Sequence, residues 1–467
     1  MKQARHRPAS NGANGSAAKI HHPHTSSGVE ARRVAVQILV RVERDRAFAD
    51  VLLGQQLDSF PANDRRFITR LVLGTIAWQG RLDFELSNLS TRPLEELAPE
   101  VLAILRMGLF QIRILTRVPS HAAVDTAVNL THKIAAKGAA GFVNAVLRSA
   151  IRKPVALPPR EDEEINYLAI AYSHPRWLAE KLISWFGLPA AESLMAANNE
   201  SAPNAIRLNL VRGKLDELVG QLAETGMTGS VGRFPETLIL NGAPILDRRS
   251  WGIGLFQLQA EASQLVTRML APSGQALVID CAAAPGGKTT HLAELAGPAA
   301  RILALDVNYA GLRNVRATAA RLGHRNVMVA CADSSSALPV RQRSAGFVLL
   351  DAPCTGLGTF REHPEIRWRL GGSDIERMAV LQRRMLNEAA AAVSTGGVLV
   401  YSVCSIAPEE GPEAIADFLT NNPDFEIDRS AIGKEFDGLI DHRGYIQTRP
   451  DRHGLDGFFA ARLRRRN

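Results

Sequence analysis

Several absences narrow what this chain is. Cysteine is scarce, with four among 467 residues: Cys281, Cys331, Cys354 and Cys404. No two of them have CxxC spacing, so neither a zinc ligand set nor a thioredoxin motif is expected, and no metal. No apolar run approaches the roughly 20 residues of a membrane span, so no membrane partner is expected. The opening stretch, MKQARHRPASNGANGSAAKIHHPHTSSG, has no apolar segment of the kind a secretory signal carries. A cytoplasmic protein with reduced thiols is the expectation. No internal period of about 20–50 residues marks a solenoid. No heptad run argues for a dimer, so a monomer is expected.

What is present is a modest basic excess. Lys and Arg number 55 against 47 Asp and Glu. Such an excess favours an anionic partner, nucleic acid first. The length exceeds what one hydrophobic core usually organises, so several domains are expected.

The chain divides into five stretches. Residues 1–28 read as a disordered, mildly basic tail, because Gly, Ser, Asn and His cannot bury enough surface to fold. Residues 29–152 read as a helical bundle. Val34, Ile38 and Val42 recur at fourth positions, with Arg32, Arg33, Arg41 and Arg44 between them. Those arginines suit either an RNA-facing surface or an ordinary solvated face. A proline-rich linker, 153–164, leads to a small α+β module over 165–250. From 251 to 467, short Val/Ile/Leu runs alternate with helices, which is the pattern of a doubly wound, mostly parallel sheet. Asp280, Asp306, Asp333 and Asp351 fall at or just past strand ends, where such sheets bind ligands.

One loop, DCAAAPGGKTT (280–290), comes within one residue of a phosphate-binding P-loop. A triphosphate reading puts Lys288 and Thr289 on phosphates and Mg²⁺. Against it, Pro285 lacks the N–H that such a cradle needs at its centre. Asp306 lies 20 residues after Gly286, a separation suited to an acid that binds ribose hydroxyls. An acid at Asp333 is placed to accept from an adenine amine. On this second reading Gly286 and Gly287 let the backbone approach an adenosine-bearing cofactor.

Two cysteines sit at strand exits, Cys354 in LLDAPCTGLGT and Cys404 in LVYSVCSIAPEE. Either alone reads as a small buried hydrophobe. Together with Asp351 they form a set with a chemical purpose. A thiolate that adds to carbon 6 of a pyrimidine makes carbon 5 nucleophilic enough to take a methyl from a sulfonium. A carboxylic acid near N3 assists, and a base must then remove the carbon 5 proton.

These motifs resemble the Nol/Nop/Sun family of RNA cytosine-5 methyltransferases. The resemblance runs through AAAPGGKT, LLDAPCTGLGT, REHPEIRW, YSVCS and DGFFAARL. VPSHAAVDTAVNL (118–130) and GFVNAVLR (141–148) resemble the NusB-like domain fused to the bacterial ribosomal members. The resemblance implies three units: an all-α NusB-like bundle, a small α+β RNA-binding module and an α/β Rossmann-like methyltransferase domain. It implies S-adenosyl-L-methionine bound along Ala282, Ala283, Ala284, Pro285, Gly286, Gly287 and Lys288, with Asp306, Asp333 and Asp351. Cys404 is then the nucleophile, Cys354 assists product release and Asp351 contacts the target base. The implied partner is RNA, with small-subunit ribosomal RNA first, transfer RNA as an alternative, and a non-catalytic NusB-like antitermination factor as another. Arg361, His363, Arg367, Trp368 and Arg369 offer either an RNA-stacking surface or a solvated loop with one packed Trp. The chain departs from the family at Ala260, where Asp is usual, at Ala282, where Cys is usual, and at Val403, where Thr is common.

Overall fold

The computed structural model describes residues 28–135, 138–241, 251–430 and 433–466. The expected N-terminal tail lies outside these, apart from Gly28. Among the described residues no helix is long and apolar enough to cross a membrane.

The first unit is built around one helix, Pro99–Arg113, which is buried from Val101 to Gln111. A helix apolar on every side belongs at the centre of a bundle. Helices Gly28–Arg44, Ala62–Ala77, Ser120–Ile134 and Ala139–Arg152 pack around it through one continuous core. Its single deep charge, Arg106, is matched by Asp83 at 2.7 Å and Glu43 at 2.8 Å. The arginines of the first helix make contacts within the bundle. Arg32 is buried and donates to Gln111 at 2.7 Å, Arg33 pairs with Glu30, and Arg41 and Arg44 pair with Asp45.

Residues 164–241 and 256–258 divide into two packing units. Helices Glu164–Ala171, Arg176–Phe186 and Leu188–Ala197 share a core with Leu357, Phe360, Ile375 and Ala407 of the C-terminal part. The second unit is a four-stranded antiparallel sheet of β1 (Ala205–Leu208), β2 (Gly229–Val231), β3 (Thr237–Leu240) and β4 (Phe256–Leu258), in the order β2-β3-β1-β4. Its fourth strand comes from beyond residue 250. A three-residue strand is too short to show alternation, which is why the sequence pattern did not assign it. Arg207 of β1 is fully buried and donates to the carbonyl of Gly287 at 2.8 Å and to Glu294 at 3.0 Å. The small sheet is thereby fixed to the helix that follows the 280–290 loop.

The C-terminal sheet contains β5 (Leu277–Asp280), β6 (Arg301–Asp306), β7 (Val327–Cys331), β8 (Ala345–Asp351), β9 (Val393–Val403), β10 (Phe425–Ile427), β11 (Ile446–Thr448) and β12 (Phe458–Arg465). The order is β10-β12-β9-β8-β5-β6-β7, with β11 on β12. Strands β7, β6, β5, β8 and β9 run parallel; β12 is antiparallel to β9. Chain order reverses between β5 and β8, and a crevice opens at such a switch point beyond the strand ends. Apolar cores cover both faces of the sheet, as the continuous Val/Ile/Leu runs require.

Candidate active site

The site is assembled from five strand exits. Leaving β5, the chain stays bound to its neighbours: Cys281 N–H donates to Leu349 and Ala283 N–H to Leu305, both at 2.9 Å. Ala284 N–H donates to the Asp306 carboxylate at 2.9 Å, so the acid ending β6 shapes the loop that leaves β5. The Ala284–Pro285 peptide is cis. Gly286 turns at φ 108°, and a Cβ there would stand 2.9 Å from the Val315 backbone. Helix Gly287–Ala296 starts at once.

This loop is not a phosphate cradle. Lys288 reaches across to Asp351 at the end of β8, with Nζ 2.7 Å from Oδ2. The Thr289 hydroxyl donates to Asp280 at 2.7 Å. The two side chains that a triphosphate reading needs are thus directed elsewhere. Burial pulls the Lys288 ammonium down, but Asp351 and the sulfur of Cys404 more than offset this and hold it above its usual value.

Both sulfurs stand beside that ion pair. Cys354, three residues past Asp351, and Cys404, one past the end of β9, are half-buried free thiols with Sγ atoms 3.2 Å apart. Asp351 also accepts from the Ser402 hydroxyl at 2.7 Å. The Cys354 thiol is pushed up, first by its hydrogen bond to Cys404, then by burial and by the nearby charges of Cys404 and Glu410. The other two cysteines are not in this group. Cys281 is buried and packs in the core; Cys331 is exposed.

The remaining expected residues line the same edge. Asp306 ends β6, its two oxygens each accepting one backbone N–H, from Ala284 and Asn308. A carboxylate with two such bonds keeps lone pairs for a further donor. Asp333 lies two residues beyond β7, exposed, with Oδ1 accepting from Ser335 N–H at 2.8 Å and its hydroxyl at 2.7 Å. Those bonds hold it below the usual carboxylate range. Ala282 and Ala284 are half-buried, Ala283 is buried and Pro285 is exposed. A Cβ at Gly287 would meet nothing closer than 3.9 Å, so backbone is accessible there.

The charged segment after Cys354 has a different employment. Arg367 is fully buried, donating to Asn199 Oδ1 at 2.7 Å and to the carbonyls of Asn198 and Ser173 at 3.0 and 3.2 Å. Trp368 donates to the Ile76 carbonyl at 2.8 Å, and Arg369 to the Ala47 carbonyl at 2.6 Å. Arg361 pairs with Asp456 at 2.9 Å, and His363 lies 3.8 Å from Asp50. The Arg367–Arg369 side chains fasten the helical bundle and the helices of 164–199 to the C-terminal sheet, in place of either a stacking platform or a solvated loop. Composition cannot distinguish the cases, because an arginine that binds phosphate and one that binds main-chain carbonyls are the same residue.

Sequence reasoning also missed Ser402, Gln382 and Glu410. An isolated acid or amide gives no periodic signal. Only the APEE following Cys404 hinted at a carboxylate near the thiol. At Ala260, where the family usually has Asp, the residue is the N-cap of helix Glu261–Leu270 and makes no side-chain cap bond.

Comparison with known proteins agrees along most of the chain. The model of the 16S rRNA methyltransferase RsmB/F family matches residues 267–464, that of the NusB family residues 29–152, and that of the RsmF/B-like ferredoxin-like domain residues 174–246. The probable ribosomal RNA small subunit methyltransferase B of Bacillus subtilis is 31% identical over 442 residues, 93% of this chain and 98% of its own. Ribosomal RNA small subunit methyltransferase B of Pasteurella multocida is 32% identical over 444 residues, 94% of this chain and 96% of its own. The crystal structure of PH0851 superposes with a TM-score of 0.80 at 27% identity, covering 94% of this chain and 99% of its own. NSun6 from Pyrococcus horikoshii, solved with SFG, shares the fold at a TM-score of 0.57 and 23% identity, over 63% of this chain and 98% of its own. With a NusB-like bundle, a ferredoxin-like module and a methyltransferase sheet in one chain, this protein belongs to the RsmB/F family of RNA methyltransferases.

Proposed function

We propose that the protein methylates carbon 5 of a cytosine in RNA, with small-subunit ribosomal RNA as substrate and S-adenosyl-L-methionine as methyl source. The observation that carries this reading is the pair of thiols 3.2 Å apart beside the Lys288–Asp351 ion pair. RNA methylation at a heteroatom needs no sulfur nucleophile; methylation at carbon 5 does. A non-catalytic RNA-binding role leaves both sulfurs and the ion pair without a purpose.

The residues present suit the cofactor. The Ala282–Lys288 loop offers backbone rather than a phosphate cradle, Asp306 has lone pairs for ribose hydroxyls, and Asp333 is free on its outer side for the adenine amine. Asp351 borders the same space. When bound, S-adenosyl-L-methionine supplies an electrophilic methyl on a sulfonium.

Cys404, as thiolate, adds to carbon 6 of the cytosine. The electron pair of the C5–C6 double bond shifts toward carbon 5 and the ring. Asp351, fixed by Lys288 and Ser402, faces the base, and the Lys288 ammonium offsets the negative charge that develops there. Once carbon 5 is methylated, its proton leaves to a base. The C–H electrons restore the double bond and expel Cys404 as thiolate. Cys354, in contact with the Cys404 sulfur, serves this release step. The target base must first be unstacked, at a cost of a few kcal/mol.

Bisulfite mapping of ribosomal and transfer RNA incubated with the protein tests the proposal. A cytosine in small-subunit RNA should become resistant to deamination with the wild type and remain sensitive with Cys404→Ala. Identical maps with and without the wild-type protein would remove the cytosine-5 reading.

A further inference from the structure

Four residues past Cys404, the chain starts one 3-10 turn, Pro408–Glu410, and buries Glu410 completely. A carboxylate taken out of water must have its lost hydrogen bonds replaced. Four donors do so here. Thr355 N–H and the Gln382 amide each donate to Oε1 at 2.9 Å. The hydroxyls of Thr355 and Ser405 both donate to Oε2.

The identity of the donors is the informative point. Thr355 directly follows Cys354, and Ser405 directly follows Cys404. Gln382 uses its second N–H on the carbonyl of Pro353, the residue before Cys354, at 2.9 Å. The Tyr401 hydroxyl lies 2.6 Å from the Glu410 carbonyl oxygen and anchors the turn to β9. A single buried side chain therefore grips the two loops that carry the sulfurs, through the residue that follows each cysteine.

We propose that Glu410 is the positioning residue of the cysteine pair, setting the spacing at which one sulfur can bond to a base while the other assists its release. This rests on the cytosine-5 reading for the use of the pair, and on packing alone for the spacing. Charge works in the same direction. The titratable groups that interact with Glu410 are Cys354, from the loop after β8, and Tyr401, on β9; Arg383, beside Gln382 on helix Gly372–Ala392, acts on Tyr401 and pairs with Asp417 at 3.4 Å. Lys288 and Asp351 lie beyond the sulfurs, and Glu409 is turned away toward Lys181 at 3.3 Å. Behind the hydrogen bond to Cys404 and burial, the Glu410 charge helps hold the Cys354 thiol above its usual value.

The test uses the full chain with Glu410→Gln, which keeps shape and removes charge, and Glu410→Asp, which keeps charge and shortens reach. Three quantities are measured: cofactor affinity by calorimetry, single-turnover methyl transfer to RNA, and the pH dependence of Cys354 alkylation by iodoacetamide. Glu410→Gln should bind cofactor within about twofold of wild type and lose at least about tenfold in single-turnover rate. Its Cys354 should alkylate at lower pH than in the wild type. Glu410→Asp should lose rate while keeping the wild-type alkylation profile. A wild-type turnover rate in Glu410→Gln overturns the proposal. If that variant does not fold, Thr355→Val with Ser405→Ala cuts the same ties from the loop side, and a wild-type rate there overturns it equally. If the wild-type chain methylates no RNA, the cytosine reading fails, yet the spacing itself still decides Glu410: the rate at which diamide oxidises Cys354 and Cys404 to a disulfide should change in Glu410→Asp, and an unchanged rate overturns the proposal.

Discussion

Two loops leave adjacent parallel strands at the same sheet edge, and each brings one sulfur to the site. The loop after β9 is short: Cys404 is followed within six residues by Glu410, which folds back to fix it. The loop after β8 is long. Beyond Cys354 it continues through Arg361, which pairs with Asp456 of the same unit, to Arg367, Trp368 and Arg369, which bind main-chain carbonyls of other units. The difference teaches that proximity to a site does not assign a residue to it. In the β8 loop, chemistry ends near Thr355 and assembly begins, although the charged residues past that point look more like a nucleic-acid surface than anything before it.

The comparison can be broken at several points. The largest effect is expected at Cys404: Ala there should abolish methyl transfer in a tritiated-methyl assay while cofactor affinity stays near wild type. Unchanged turnover would place the nucleophile elsewhere. Next is Cys354→Ala, which should leave addition intact, slow release and accumulate a protein–RNA adduct on a denaturing gel. Absence of an adduct in a variant that has lost turnover would count against its role in release.

Arg367→Ala should act on assembly rather than chemistry. It strips hydrogen bonds from several buried carbonyls and opens a cavity, for a loss of roughly 3 kcal/mol. Denaturant unfolding should show the loss, with earlier proteolysis between the helical bundle and the sheet. A variant as stable as wild type, but weak in RNA binding, would return Arg367 to the RNA surface.

The smallest effect concerns Asp280, at the end of β5. Burial raises its carboxyl to about 6, Asp351 adding to this and Thr289 opposing it, and its Oδ1 has no hydrogen-bond partner. An acid with a higher pKa folded than unfolded binds an extra proton in the native state. Its contribution to stability is complete below the unfolded value of about 3.9 and is lost as pH rises to about 6. Asp280→Asn should flatten that decline, so its urea-unfolding free energy falls less than that of the wild type between about pH 4 and about 6. Parallel profiles would refute this.

Much of the fold was legible in the residues. The runs RILALD and GFVLLD are strands because parallel strands buried on both faces must be apolar throughout, and β6 and β8 cover them. The helices of the first unit followed from fourth-position repeats closed by prolines, as in Ala62–Ala77 after Pro61. The two three-residue strands of the small sheet, β2 and β4, were less legible, since three residues carry no period. The candidate site was legible where a residue type is rare and its setting unusual, as for Cys354, Cys404 and the 280–290 loop. Glu410 and Ser402 were not, because acids and serines are common and their partners lie far away along the chain.

Local sequence therefore determined which segments are strand or helix and which strand ends carry reactive groups, since periodicity and residue chemistry act over a few neighbours. Tertiary structure alone decided that Lys288 meets Asp351 and that two sulfurs 50 residues apart touch at 3.2 Å. It alone decided that Arg367 is spent on carbonyls. Those outcomes depend on which strand exits lie side by side, and strand order is set by the packing of the whole sheet rather than by any stretch within it.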